Sequence, residues 1–343
     1  MMFGVILLFG CVASAPSSAE PRQAARAAAP VAYKQVVVGN TQACALREDG
    51  SVECWGATEE EIEIGTLDMY YHDGDAPAGS YERLFISSDW RGSAAVNDAS
   101  GRGCAIEAGG GAICCWGRTA FGRSANKECV QMLTTSESDP FTDVVNGDTQ
   151  VCGLTSAGGL RCRDDNGVEH LYVGVLDISG HGYAIFAYYN DGLYEYAILS
   201  GGGDCRTVDT LGDSATSIPK GLTNPSLAEG SPGCFWQADP GRIRCIDSRG
   251  DWDPEPGMVD AIGRGDTTCA IYGSGEVRCE TPTYEHTDSE YTSDWPDDPV
   301  GQFKQIALWP DSASVGCGVT LDGQISCWGS PTGQAQRIVS DAP

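Results

Sequence analysis

The residues with the most chemical capacity in this chain are sixteen cysteines and four histidines. Twelve of the cysteines recur as pairs at a near-constant spacing: Cys44 and Cys54, Cys104 and Cys115, Cys152 and Cys162, Cys234 and Cys245, Cys269 and Cys279, Cys317 and Cys327. An apolar or aromatic residue stands two places after the first cysteine, as at Leu46, Leu154 and Trp236, and another two places before the second, as at Val52, Leu160 and Ile243. A glycine stands four places before the second cysteine, as at Gly50, Gly111, Gly158, Gly241, Gly275 and Gly323. If Cys44 faces Cys54 across an antiparallel hairpin, Leu46 faces Val52 on the same side, because side chains alternate with period two. Glu48, Asp49 and Gly50 are then a three-residue loop whose last position is commonly left-handed, which suits glycine. Directly opposed Cβ atoms lie about 4.5–5.5 Å apart, within small adjustments of disulfide geometry. One arrangement thus explains the cysteines, the apolar pair and the glycine, and it selects Cys115 over Cys114 as the partner of Cys104.

Other chemistry finds less support. Zinc knuckles of the Cys-x-x-Cys kind are absent. His72, His170, His181 and His286 lie in no metal or nucleophile motif, and no Gly-x-Ser-x-Gly elbow or phosphate-binding glycine signature is present. The acidic stretches Asp73-Gly74-Asp75 and Asp294 to Asp298 have the oxygen-donor chemistry of calcium sites but not the EF-hand spacing. No metal and no cofactor is expected. Cys114, Cys129 and Cys205 stand outside the hairpin pattern, and Cys129 has either Cys114 or Cys205 as a possible disulfide partner.

The elements that hold these pairs are a repeated unit. Val36-Val37-Val38-Gly39 precedes the first pair, Val144-Val145 the third, Ile262 the sixth and Ile306 the last. A seventh copy lacks cysteine and carries Phe186, Tyr188, Gly192, Tyr194 and Tyr196 at the corresponding places. Such a unit cannot bury its apolar faces alone, and radial stacking closes a ring. The expected fold is an all-β, seven-bladed propeller over 34–343 with disulfide-stapled hairpins. Arg337-Ile338-Val339 is expected to pair with the Val36–Val38 strand and seal the ring.

The pattern Gly39…Cys44-Ala45-Leu46…Asp49-Gly50…Cys54-Trp55-Gly56 resembles the regulator of chromosome condensation repeat, in the cysteine-bearing version common in exported bacterial proteins. The resemblance spans about 34–343. It implies a seven-bladed propeller whose faces bind proteins. The Gly-Gln-Leu-Gly stretch usual after Trp-Gly is incomplete after Trp116-Gly117 and Trp328-Gly329, and acidic insertions follow several hairpins instead. The nucleotide-exchange role of the eukaryotic namesake does not suit an acidic, exported chain.

The N-terminus supports export. Phe3 to Phe9 is apolar but too short for a permanent span. Ser17-Ser18-Ala19 offers a signal-peptidase site that leaves Glu20 first, making 1–19 a signal peptide. Leu8-Phe9-Gly10-Cys11 equally resembles a lipobox, with Cys11 lipidated. Residues 20–33 read as a flexible tether. A net charge of -27 repels phosphate backbones and excludes nucleic acid as a partner, with membrane contact only through a lipid anchor. The apolar fraction of 41% suffices for a core. Tyr70, Tyr71, Trp90, Trp252, Tyr284, Tyr291 and Trp295 fall between hairpins, where aromatics serve either as interface anchors or as cover for blade edges. The resulting expectation is a monomeric, non-catalytic scaffold outside the cytoplasm, secreted or anchored in the cell envelope, that binds a protein or glycan. An exported hydrolase and a structural envelope component are the alternatives.

Overall fold

Short strands with period-two alternation, punctuated by glycine, fold here into antiparallel meanders. The computed structural model describes residues 31–39, 42–56, 77–86, 102–118, 125–146, 150–164, 167–181, 184–189, 192–197, 204–207, 225–227, 234–237, 242–245, 251–252, 257–264, 267–280, 299–309, 312–329, 339 and 342–343. Val31–Pro343 forms one compact unit. The described strands make seven antiparallel sheets. Sheet 1 holds β1 (Tyr33–Val38), β2 (Gln42–Arg47) and β3 (Val52–Gly56). Sheet 2 holds β4 (Tyr81–Ile86), β5 (Arg102–Glu107), β6 (Ala112–Arg118) and β7 (Ala125–Thr134). Sheet 3 holds β8 (Phe141–Asn146), β9 (Gln150–Thr155), β10 (Gly159–Asp164) and β11 (Glu169–Val173). Sheet 4 holds β12 (Val175–His181), β13 (Ala184–Tyr189), β14 (Gly192–Ala197) and β15 (Asp204–Thr207). Sheet 5 holds β16 (Pro225–Leu227), β17 (Cys234–Gln237), β18 (Arg242–Cys245) and β19 (Asp251–Trp252). Sheet 6 holds β20 (Met258–Arg264), β21 (Thr267–Tyr272) and β22 (Val277–Glu280), and sheet 7 holds β23 (Phe303–Trp309), β24 (Ser312–Thr320) and β25 (Ile325–Trp328).

Each sheet packs on the next, and β23 of sheet 7 packs on β1 of sheet 1, so the ring closes. The core lies between sheets. One buried cluster joins sheets 2, 3 and 4 through Phe85, Ile113, Phe141, Leu160 and Ile185. Others join sheets 1 and 2, sheets 7 and 1, and sheets 6 and 7.

The cysteines meet inside the hairpins. Disulfides link Cys44 to Cys54, Cys104 to Cys115, Cys152 to Cys162, Cys269 to Cys279 and Cys317 to Cys327. Cys234 and Cys245 are directly opposed in the ladder of β17 and β18. Cys114 pairs with Cys129, tying β6 to the outer strand β7. Cys205 lies in β15, and Cys11 lies outside the described residues.

Two details of the expected register are corrected. In sheet 2 the left-handed glycines are Gly109 and Gly110, not Gly111, because the extra residue lengthens the loop. In sheet 4, Phe186 faces Glu195, while Tyr194 and Tyr196 face Ala187 and Ile185. Tyr189 already pairs with Gly192, so only Asn190 and Asp191 connect the strands. The missing loop residue slips the register of β14 by one place. The four aromatics therefore do not replace the cysteine and aliphatic pairs as cross-strand partners. Arg337 and Ile338 lie outside the described residues, and the described ladder partner of β1 is β2.

Candidate functional site: the axial cavity and its mouth

The innermost strands line a polar axial cavity of about 270 Å³. A repeated backbone irregularity points the polar groups into it. In β1, β4, β8, β12, β20 and β23 the ladder register shifts at the second residue, giving a bulge after Tyr33, Tyr81, Phe141, Val175, Met258 and Phe303. A bulge leaves one residue unpaired and re-aims its neighbours. The residue after each bulge is polar (Gln35, Arg83, Asp143, Asp177, Asp260 and Gln305), and all six line the cavity.

These side chains bond backbone groups of the inner strands. The Val36 amide donates to Gln305 Oε1 at 2.9 Å, and Gln305 Nε2 donates back to the Val36 carbonyl at 2.9 Å. The Leu84 amide donates to Gln35 Oε1 at 2.8 Å, and Gln35 Nε2 donates to the Leu84 carbonyl at 2.9 Å. Each glutamine clamps the inner strand of the following sheet. At the next joint the device changes: the Val144 amide donates to Asp143 Oδ1 at 2.8 Å, and the Arg83 guanidinium reaches both carboxylate oxygens from sheet 2. The Ile178 amide likewise donates to Asp177 Oδ1 at 3.0 Å. A buried backbone amide requires such a partner, and each bond contributes about 0.5–1.5 kcal/mol.

A second joint recurs at the hairpin loops. The carbonyls of Gly50, Gly110, Gly158, Gly275 and Gly323 accept from the first amides of the following inner strands, at Tyr81, Phe141, Val175, Phe303 and Tyr33, over 2.7–3.0 Å. Gly158 (φ 79°) is left-handed, and a Cβ there would sit 2.9 Å from the Val175 carbonyl oxygen. Glycine is required on both counts. Tyr33 also donates its hydroxyl to Glu53 Oε2 at 2.7 Å. Burial pushes that phenol above its ordinary value, and the bond to Glu53 adds to the effect.

The cavity lining holds four carboxylates (Glu82, Asp143, Asp177 and Asp260) against the cations Lys34 and Arg83. Such a site offers polar recognition with a modest excess of negative charge. Among the described residues no group of three or more His, Cys, Asp or Glu side chains is arranged to hold a metal ion. His170 lies 3.7 Å from Asp164, and His181 lies in β12. The residues within the bulges are Lys34, Glu82, Thr142, Leu176, Val259 and Lys304, all exposed except the half-buried Lys34. They were not legible as a set, because the intervals between repeats are irregular.

Of the aromatics singled out in the sequence, Trp252 lies in β19, opposite Ile243. Tyr70, Tyr71, Trp90, Tyr284, Tyr291 and Trp295 lie outside the described residues, as do the two acidic stretches, His72 and His286.

No family model matches the chain, and no curated protein matches it. Its fold is similar to several crystal structures. The ectodomain of the receptor kinase CR4 from Physcomitrella patens is 16% identical, with 89% of this chain and 77% of that one covered and a TM-score of 0.54. The CRINKLY WD40 ectodomain of the receptor kinase ACR4 from Arabidopsis thaliana is 16% identical, with coverage of 88% and 99% and a TM-score of 0.53. The computationally designed protein Ika8 is 13% identical, with coverage of 87% and 84% and a TM-score of 0.50. At such identities the likeness speaks to architecture alone, and with the closed succession of antiparallel sheets it makes this chain an all-β propeller.

Proposed function

We propose that this protein is a seven-bladed, non-catalytic binding scaffold of the regulator of chromosome condensation repeat type, working outside the cytoplasm on a protein or glycan partner. One observation carries the reading: the frame repeats while the residues it presents do not. A bulge followed by a polar residue recurs in six of the described inner strands, and a disulfide with a loop glycine in most of the hairpins. The residues displayed within the bulges are chemically diverse: Lys34, Glu82, Thr142, Leu176, Val259 and Lys304, of which Lys34 and Glu82 also line the cavity. A constant frame with varied display is how rigid scaffolds carry binding sites. The disulfides support an oxidising compartment. The sharing of this architecture by two receptor ectodomains supports a role at a surface.

The test is capture of a partner from the surface extract and medium of the producing cells by the oxidised chain and by a Glu82→Lys, Val259→Glu variant. A partner kept by the parent chain and lost by the variant is the expected result. Equal retention would move the binding surface away from the bulge residues, and the absence of any specific partner would sink the scaffold reading.

A further inference from the structure

We infer that the propeller opens preferentially at one seam, the joint between sheets 7 and 1, and that Gln305 is the latch that holds it. This joint shares a loop clasp and a glutamine clamp with the joint between sheets 1 and 2; around them Gln324 Nε2 donates to the Val31 carbonyl at 3.1 Å and Lys304 reaches Glu48 at 3.4 Å across the seam, while Lys34 reaches the Tyr81 carbonyl at 3.4 Å across the other joint. The loop clasp is Tyr33 amide to Gly323 carbonyl at 2.8 Å, matching Tyr81 amide to Gly50 carbonyl at 2.8 Å. The clamp is Gln305 on Val36, matching Gln35 on Leu84. Beyond these bonds, two differences favour opening at the seam. First, sheets 1 and 2 are joined directly by the chain from Gly56 to Tyr81, whereas sheets 7 and 1 are the two ends of the unit. A chain link keeps separated surfaces at high effective concentration and limits the entropy gained on opening. The end-to-end seam has no such direct link among the described residues.

Second, the core across the seam is lighter. Its buried cluster has Tyr33, Val36, Val38, Trp55 and Val319 beside the alanines Ala43, Ala45 and Ala307, with Ile325 and Ala342 packed against it, and it holds no fully buried leucine or isoleucine. The cluster across the joint of sheets 1 and 2 has Leu46, Tyr81, Leu84, Ile86 and Trp116. Apolar stabilisation scales with buried area, so alanines hold the seam less tightly. The described disulfides each lie within one sheet, and none crosses the seam. Opening here exposes Val36, Val38 and Val319 while every described staple stays intact, a sub-global opening of the kind that hydrogen exchange detects.

The matched bonds supply an internal control. Residue-resolved amide exchange on the full oxidised chain compares Val36 and Tyr33 with Leu84 and Tyr81. The seam pair is expected to exchange at least about tenfold faster, and Gln305→Leu to accelerate the seam pair while leaving Leu84 and Tyr81 unchanged. Equal or slower exchange at the seam in the unmodified chain would overturn the inference, whether or not the variant folds. An acceleration shared by all four amides in Gln305→Leu would also overturn it, because the ring would then open as a whole.

Discussion

The hairpins of sheets 3 and 4 stand side by side and solve the same problem differently. In sheet 3, Leu154 faces Leu160 and Cys152 faces Cys162, and a disulfide closes the pair. In sheet 4, relative to the inner strand, Tyr188 takes the place of Leu154 and Phe186 that of Cys152, opposite Asp177 and Ser179. The outer strand then diverges, because two residues connect β13 and β14 where the sheet 3 loop is longer. The comparison teaches that the inner half of each repeat is set by the ring, through the bulge and the loop clasp at Gly158, whereas the outer half follows loop length. A repeat can therefore lose its staple and change register outside without disturbing its neighbours. The buried Ile185 and Ala187 still join the core cluster that contains Cys152 and Leu160.

The strongest way to break the comparison is to remove the staple from sheet 3. Cys152→Ala with Cys162→Ala deletes a link across a separation of 10 residues. It is expected to lower the unfolding free energy by about 3 kcal/mol. Denaturant titration without reductant measures it. A loss below about 1 kcal/mol, under the usual range for a native bridge, would show that sheet 3 needs its disulfide no more than sheet 4 does.

The register difference is sharpened by adding a staple to sheet 4. Phe186→Cys with Glu195→Cys places thiols at directly opposed positions, where the spacing allows a disulfide. Phe186→Cys with Tyr196→Cys places them out of register. Mass spectrometry after thiol labelling should find the first pair oxidised and the second free. The reverse outcome would restore the sheet 3 register to sheet 4.

The smallest effect concerns the loop of sheet 3. Asp139 Oδ1 accepts from the Ala157 amide at 2.9 Å and from the Ser156 hydroxyl at 3.2 Å. The Ala157 amide is the main cause holding this carboxyl below its ordinary value. A lowered folded-state value means the contribution is complete above the unfolded value of about 3.9 and fades as the pH falls through the folded one. Amide exchange at Ala157 is expected to rise at acid pH, relative to its intrinsic rate, in the parent chain. In Asp139→Asn that extra pH dependence disappears. A parent and variant with the same profile would refute the assignment.

Much of the hairpin chemistry was legible from local spacing. Cys44 and Cys54, Leu46 and Val52, and the left-handed Gly50 sit within one short segment, and antiparallel geometry relates them directly. The sheet 4 register was not legible, because aromatic residues tolerate either face and nothing covalent pins them. Cys129 had two candidate partners until the fold brought β6 against β7. The polar clamps were invisible for a different reason. Gln305 and Val36 are 269 positions apart, and a lone glutamine in a strand carries no signal of what it clamps.

The amino-acid order alone determined the all-β class, the repeated hairpin and the cysteine partners within it, because these depend on contacts between residues a few places apart on a two-residue period. Only the tertiary structure decided which residues face the axis, how each sheet is clamped to the next and where the ring meets itself. Those features depend on the bulges that re-aim single side chains and on contacts between sheets that no local pattern encodes.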